Sequence, residues 1–296
     1  MIQTLAAHLT IWLGFHPHPH RPSVPSLRPA RLLALAALLL NALALAAPAE
    51  VVELHPKLVE QDGCIGVEYY SGGTLAVRST DAAPAGVQLL LPGAEVKPVV
   101  FRAKTERDGV IELGPAQVGA LTLRLRLVQK TPSLVERTLE VRADAAQRFS
   151  VWFPIDVAWE GEFASFSGPV KSRTLCDTVR GTAKTETFPV AMLRASGKVL
   201  GLAADSPGLW ENRCEVLLDP PAHRLAVLAG DGRAPYPLII KPPEDARDTY
   251  QYQMDGWQSL AAGETRRFTT WVFASPARNH YDAQVAAHLA VANGKG

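Results

Sequence analysis

Positions 121–127 alternate without a break, with Leu121, Leu123, Leu125 and Leu127 on one parity and Thr122, Arg124 and Arg126 on the other. A period of two is the mark of a strand with one buried and one wet face. Shorter segments rich in β-branched and apolar residues recur at 65–70, 87–91, 96–102, 138–141 and 149–153. Further ones lie at 188–193, 199–203, 224–228, 238–240, 250–254 and 267–273. Between them stand Ser71-Gly72-Gly73, Pro92-Gly93, Asp108-Gly109, Ser196-Gly197, Asp231-Gly232 and Ala262-Gly263, which supply the positive φ that tight turns need. Many short strands at this spacing argue for a sandwich or barrel over an α/β layer fold, and the chain is expected to be all-β, a large β-sandwich.

The period changes only at the end. Past Ala274-Ser275-Pro276, residues 281–293 are rich in Ala, with Val285, Leu289 and Ala292 at helical spacing and Asn293-Gly294 as a stop. A short C-terminal helix is expected there. It either docks on the sandwich or leads into a further helical domain.

The beginning of the chain reads as an export signal. Leu32 to Ala47 is almost entirely Leu and Ala, follows Arg28 and Arg31, and contains Ala44-Leu45-Ala46 as a cleavage site of the A-x-A kind. The run falls short of the roughly 20 apolar residues that span a bilayer, so cleavage near Ala46 is expected and an uncleaved anchor is the alternative. Within the leader, His16-Pro17-His18-Pro19-His20 is no metal site, because the prolines prevent the turn that would converge the imidazoles. The organisation expected is therefore leader and signal over 1–46, sandwich over 47–275 and linker with helix over 276–296. A sub-boundary near 145 is the alternative to one large domain. Localisation is expected to be periplasmic or secreted, with no membrane association after cleavage.

Charge narrows the partners. The 30 Lys and Arg lose three arginines with the leader, leaving 27 against 29 acids and a net charge of −2. No basic surplus or cluster remains to track nucleic acid. Three cysteines, Cys64, Cys176 and Cys214, allow at most one internal disulfide, and Cys176 with Cys214 is the preferred pair; free core thiols are the alternative. Walker, H-E-x-x-H, G-x-S-x-G and C-x-x-C motifs are absent, so neither cofactor nor metal is expected.

Aromatic residues gather in the second half, three between 47 and 148 against sixteen between 149 and 281, which places candidate binding chemistry there. In Asp156-Val157-Ala158-Trp159-Glu160-Gly161-Glu162-Phe163, two acids two positions apart share one face of a strand at about 6.5–7 Å. Paired carboxylates at such spacing are the acid and base of glycoside hydrolysis, so Glu160 and Glu162 are the catalytic candidates of a self-contained glycosidase. Acids on a wet strand face also serve simply to keep edges apart. Asp205, Trp210, Glu211 and Arg213 combine an aromatic face with fork-shaped polar groups, the chemistry that grips a sugar; the alternative is a structural loop with Trp210 in the core. Tyr250 and Trp257 form a third candidate, a stacking platform or a core edge.

Phe188-Pro189-Val190-Ala191-Met192-Leu193, Gly201-Leu202-Ala203-Ala204-Asp205-Ser206-Pro207 and Leu260-Ala261-Ala262-Gly263-Glu264-Thr265-Arg266-Arg267-Phe268, followed by a final strand and a helical exit, together resemble a known domain. It is the β-supersandwich, galactose-mutarotase-like in fold, that precedes an (α/α) toroid in bacterial glycoside hydrolases and phosphorylases. The resemblance covers residues 150 to 290. It implies a carbohydrate-associated domain with an oligo- or polysaccharide partner, forming the N-terminal portion of a glycoside-processing enzyme whose catalytic residues lie on the missing helical domain. No residue role is carried over from it. A non-catalytic envelope scaffold or adhesion domain is the rival reading.

Overall fold

The alternation at 121–127 is realised as a strand: in the computed structural model Leu121, Leu123, Leu125 and Leu127 are at most 1% exposed while Arg124 and Arg126 face solvent. The structure describes residues 51–92, 97–166, 168–169, 182–186, 189–205, 214–229 and 258–296. The signal segment, Cys176, Trp210, Glu211, Arg213, Tyr250 and Trp257 lie outside the described residues, as do the expected strands at 238–240 and 250–254. Cys214 opens a strand, but its side chain also falls outside the description, so the expected disulfide does too. Cys64 is a free thiol.

The first half of the chain gives β1 (His55–Gln61), β2 (Cys64–Ser71), β3 (Thr74–Arg78), β4 (Gln88–Leu90) and β5 (Lys97–Pro98). It continues with β6 (Lys104–Arg107), β7 (Val110–Val118), β8 (Leu121–Thr131) and β9 (Leu134–Ala143). The second half gives β10 (Gln147–Val157), β11 (Glu162–Ser165), β12 (Gly168–Pro169), β13 (Thr182–Glu186), β14 (Val190–Ala195) and β15 (Lys198–Ala204). Then come β16 (Cys214–Asp219), β17 (Arg224–Ala229), β18 (Gln258–Leu260), β19 (Thr265–Pro276) and the helix α1 (His280–Lys295).

All pairings are antiparallel and sort into two sheets. Sheet A runs β1-β2-β3-β10-β17-β16-β13, with β4 and β18 also on β10 and β5 on β4; sheet B runs β12-β11-β14-β15-β19-β9-β8-β7-β6. Each sheet takes strands from both sides of residues 143–146. The two sheets face each other across one core, in which Leu123, Leu125, Leu139 and Val272 of sheet B meet Val67, Phe153, Val157 and Val227 of sheet A. Phe149 and Phe268 bridge the layers edge to face, with ring centroids 6.0 Å apart. The described residues form an all-β sandwich with one short helix.

Two local departures have physical causes. Of the strand expected at 96–102, only the two residues of β5 and a lone bridge from Phe101 to Ile65 form, since Pro98 has no N–H to continue a ladder. Conversely β7 runs through Gly114-Pro115 by bulging: the register steps from Leu113 opposite Leu125 to Ala116 opposite Leu123, and Gly114 takes φ +111° to allow it.

The helix docks on the outer face of sheet B, but not by the expected residues. Ala283, Ala286, Ala287, Ala290 and Gly294 are buried, whereas Tyr281, Val285 and Leu289 are 71%, 40% and 56% exposed. Small side chains win because they allow close approach to Trp271 and Phe273: a Cβ on Gly294 would lie 2.2 Å from Trp271 Nε1. Asn279 caps the helix by accepting from Asp282 N at 2.9 Å, and Gln284 Nε2 donates to Phe166 O at 2.7 Å.

Candidate functional site

The outer face of sheet B is divided. Over β14, β15 and the end of β19, apolar residues Val190, Met192, Val199, Ala203, Trp271 and Phe273 lie under α1. Over β6 to β9 and the start of β19 the same face is polar and bare. There Thr105, Glu112, Arg124, Arg126, Thr138, Glu140 and Arg267 line a groove of about 700 Å³. Strict alternation puts them together: all but Thr105, which stands on the wholly exposed β6 opposite Glu112, are outward neighbours of core residues, and the ladder sets Arg126 opposite Glu112 and Thr138, and Arg124 opposite Glu140.

The groove's charges are unevenly matched. Arg267, opposite Glu140 on β19, donates from Nε and Nη2 to Glu140 Oε2 at 3.0 and 2.9 Å. Arg124, Arg126 and Glu112 have no hydrogen bond or ion pair among the described residues, although each is exposed and directly flanked by polar neighbours. Three guanidinium groups against two carboxylates leave the lining one positive charge in excess. Two free guanidinium forks roughly 7 Å apart along β8, with a free carboxylate on the next strand at roughly 5 Å, suit a ligand rich in hydroxyl or carboxylate oxygens.

The acids expected to be catalytic stand elsewhere. The segment 156–163 is not one strand: β10 ends at Val157 and β11 begins at Glu162, so Glu160 lies in the break. The chain bends there because Gly161 packs on its neighbour, where a Cβ would be 2.2 Å from Arg194 O. The Glu160 side chain is 88% exposed, with Oε1 4.0 Å from His223 Nδ1. Glu162 is bound by Arg194. Around them, Lys198 Nζ sits 3.6 Å from the centre of the Trp159 ring, and His223, at φ +52°, meets Phe163 edge-on. Asp156, first of the segment, is buried. It accepts from Arg224 Nε at 2.5 Å, from Arg224 Nη2 at 2.9 Å and from the Thr80 hydroxyl. The hydrogen bond to Asp156 raises the Arg224 pKa further, and the pair fastens β10 to β17.

Asp205 closes β15 and pairs with Lys295 of the helix, Oδ1 to Nζ 2.7 Å. Its N–H donates to Thr269 O at 2.9 Å, and Thr269 lies opposite Thr138, so Asp205 stands where the covered half of sheet B meets the groove, whose own residues the sequence showed as a wet face without singling them out. Their only signal was the Arg-rich parity of 122–126. No cluster of His, Cys, Asp and Glu among the described residues is arranged to hold a metal, and no helix among them is long and apolar enough to cross a membrane.

No protein-family model matches the chain, and no curated protein does. Solved structures do. They include galactose mutarotase related proteins. One is the galactose mutarotase related enzyme of Lactobacillus acidophilus, at 9% identity and TM-score 0.43, covering 74% of this chain and 97% of that one. A protein from Synechocystis sp. PCC 6803 is similar at 10% identity and TM-score 0.47 over 76% and 93%. A human-microbiome protein described as a kojibiose phosphorylase is similar at 8% identity and TM-score 0.40, over 84% of this chain. The chain spans 29% of the length of that phosphorylase. At such identities no residue role passes from these proteins to this chain.

Proposed function

We propose that the chain is the carbohydrate-associated sandwich of an exported glycan-processing protein, and that the groove on sheet B is where it meets an oligo- or polysaccharide. The observation that carries this reading is the bare polar half of sheet B, with about 700 Å³ of concave space and the unpaired Arg124, Arg126 and Glu112. A guanidinium presents paired donors that match vicinal hydroxyls or a uronate carboxylate, and Glu112 accepts from hydroxyls. Under this proposal neither Glu162, engaged by Arg194, nor Glu160, exposed to solvent, is catalytic.

Calorimetry of the exported protein, its cleavage near Ala46 checked by intact mass, against neutral and uronate-bearing oligosaccharides at millimolar concentration tests the reading. Binding is expected, weakened about tenfold or more by Arg124→Ala with Arg126→Ala and little changed by Trp210→Ala. Absence of heat with every glycan, or full affinity in the double arginine variant, refutes the groove. Selective loss in the Trp210 variant moves the site to the 204–214 loop.

A further inference from the structure

The excess positive charge of the groove falls on one residue. Further along β8 and β9 the charges are matched, Arg142 with Asp144 at 4.0 Å and Lys130 with Glu136 at 3.9 Å. Within the groove, Glu140 is engaged by Arg267, and Arg126 stands directly opposite Glu112. Arg124 is what remains. On the β9 side its neighbour is the engaged Glu140. On the β7 side it faces the bulge, because the register passes from Leu113 opposite Leu125 to Ala116 opposite Leu123 and leaves Gly114 and Pro115 beside it.

Neither of those two residues has a side-chain acceptor. At Gly114 a side chain is excluded twice over: φ is +111°, and a Cβ would lie 2.8 Å from Leu123 O. Both residues line the groove, so the bulge lowers its floor and leaves the Arg124 fork beside open space. About 7 Å along β8, Arg126 with Glu112 and Thr138 supplies donors, a carboxylate acceptor and a hydroxyl.

We propose that the groove selects acidic glycans, with Arg124 as the specificity-determining residue that takes a uronate carboxylate while Arg126, Glu112 and Thr138 bind sugar hydroxyls. This rests on the reading of the groove as a glycan site. A planar carboxylate accepts two parallel charge-assisted bonds from one guanidinium, whereas hydroxyls accept weaker, uncharged ones. It also neutralises the one unmatched charge. A second carboxylate over Arg126 is disfavoured, because Glu112 is a strand spacing away, about 5 Å.

The test is calorimetry of the protein with oligogalacturonate and with its methyl ester, which keeps the hydroxyls and loses the charge. The acid is expected to bind about tenfold or more tightly than the ester, with a preference that shrinks as salt screens the exposed pair. Arg124→Gln, a change at an exposed position, is expected to bring the acid to the affinity of the ester and to alter ester binding by less than about twofold. Glu112→Gln is expected to strengthen binding of the acid. Equal binding of acid and ester overturns the acid preference and leaves the glycan site standing, whereas no binding of either overturns both. A preference that survives Arg124→Gln overturns the role of that residue. Tighter binding of a sulfated oligosaccharide overturns the carboxylate, and equal binding of an oligoglutamate peptide shows a groove that reads charge without sugar and overturns the proposal.

Discussion

Gly201→Ala isolates one contact on which the docking face of sheet B depends. Gly201 on β15 is the cross-strand partner of Phe273 on β19, and the far end of the phenyl ring lies against it. An added Cβ would come 2.1, 2.4 and 2.7 Å from Cζ, Cε1 and Cε2, all well inside the 3.4 Å at which ordinary contact begins. Overpacking of this kind costs about 1–3 kcal/mol. Two effects reduce it. Replacing Gly in a strand returns about 0.5–1 kcal/mol of backbone entropy. The ring also borders a gap of about 150 Å³ shared with Ala286 and Ala290, into which it has partial room to move. The clash still dominates, for a net loss of about 1 kcal/mol and a fall in Tm of about 2–4 °C.

The background decides the sign. With Phe273→Leu the ring atoms are gone, so Gly201→Ala is then expected to be neutral or to stabilise by up to about 1 kcal/mol, giving a coupling of about 1–2 kcal/mol between the sites. Urea denaturation followed by tryptophan fluorescence measures all four variants. Equal effects of Gly201→Ala in both backgrounds, or stabilisation where Phe273 is retained, would refute the reasoning.

Two further predictions concern charge. Arg224→Met leaves buried Asp156 without its cation and is expected to destabilise by about 3–5 kcal/mol, seen as a large fall in Tm; the double change with Asp156→Leu is expected to recover much of it, and no recovery contradicts the pair's role. At the helix start, the Arg278 backbone N–H and side chain hold the Asp282 pKa below 3.8. A depressed folded-state pKa contributes stability above the unfolded value that is lost as pH falls through the folded one. The helix cap is therefore expected to persist to pH 4 and weaken only below it. An Asp282 carboxyl resonance titrating at or above 3.8 counts against this.

The strands were legible because period two survives in the residues themselves, and 121–127 needed nothing else. The helix was legible as a helix, but its buried face was not. Hydrophobicity selects Val285 and Leu289, whereas the sheet beneath, with Trp271 and Phe273 standing up from it, selects by volume and takes Ala and Gly. The break at 158–161 left no local sign either, since it follows from the approach of Gly161 to Arg194, a residue 33 positions away in sequence. The buried Arg137 falls just outside the strand expected at 138–141. That it points inward follows only from its cross-strand partners, Leu127 of β8 and Thr270 of β19, which are both buried.

The groove raises the question of whether free arginines on a wet face need any ligand. Charges that guard a sheet against pairing belong on its edge, and β6 fills that role with four exposed residues, Lys104, Thr105, Glu106 and Arg107. Arg124 and Arg126 are on β8, two strands further in, where no edge is exposed. Solvation of an outer face is met equally by Thr or Ser, and mutual pairing is available, because Glu140 lies opposite Arg124 and Glu112 opposite Arg126. Glu140 instead engages Arg267, which leaves both β8 guanidiniums open side by side. β19 shows that the division is built in: Arg267 and Thr269 extend the polar floor while Trp271 and Phe273, on the same parity, pass under α1. The helix covers what cannot stay wet and stops short of the arginines. An exposed, concave, incompletely paired centre in the interior of a sheet is better explained by a polar ligand than by protection of the sheet.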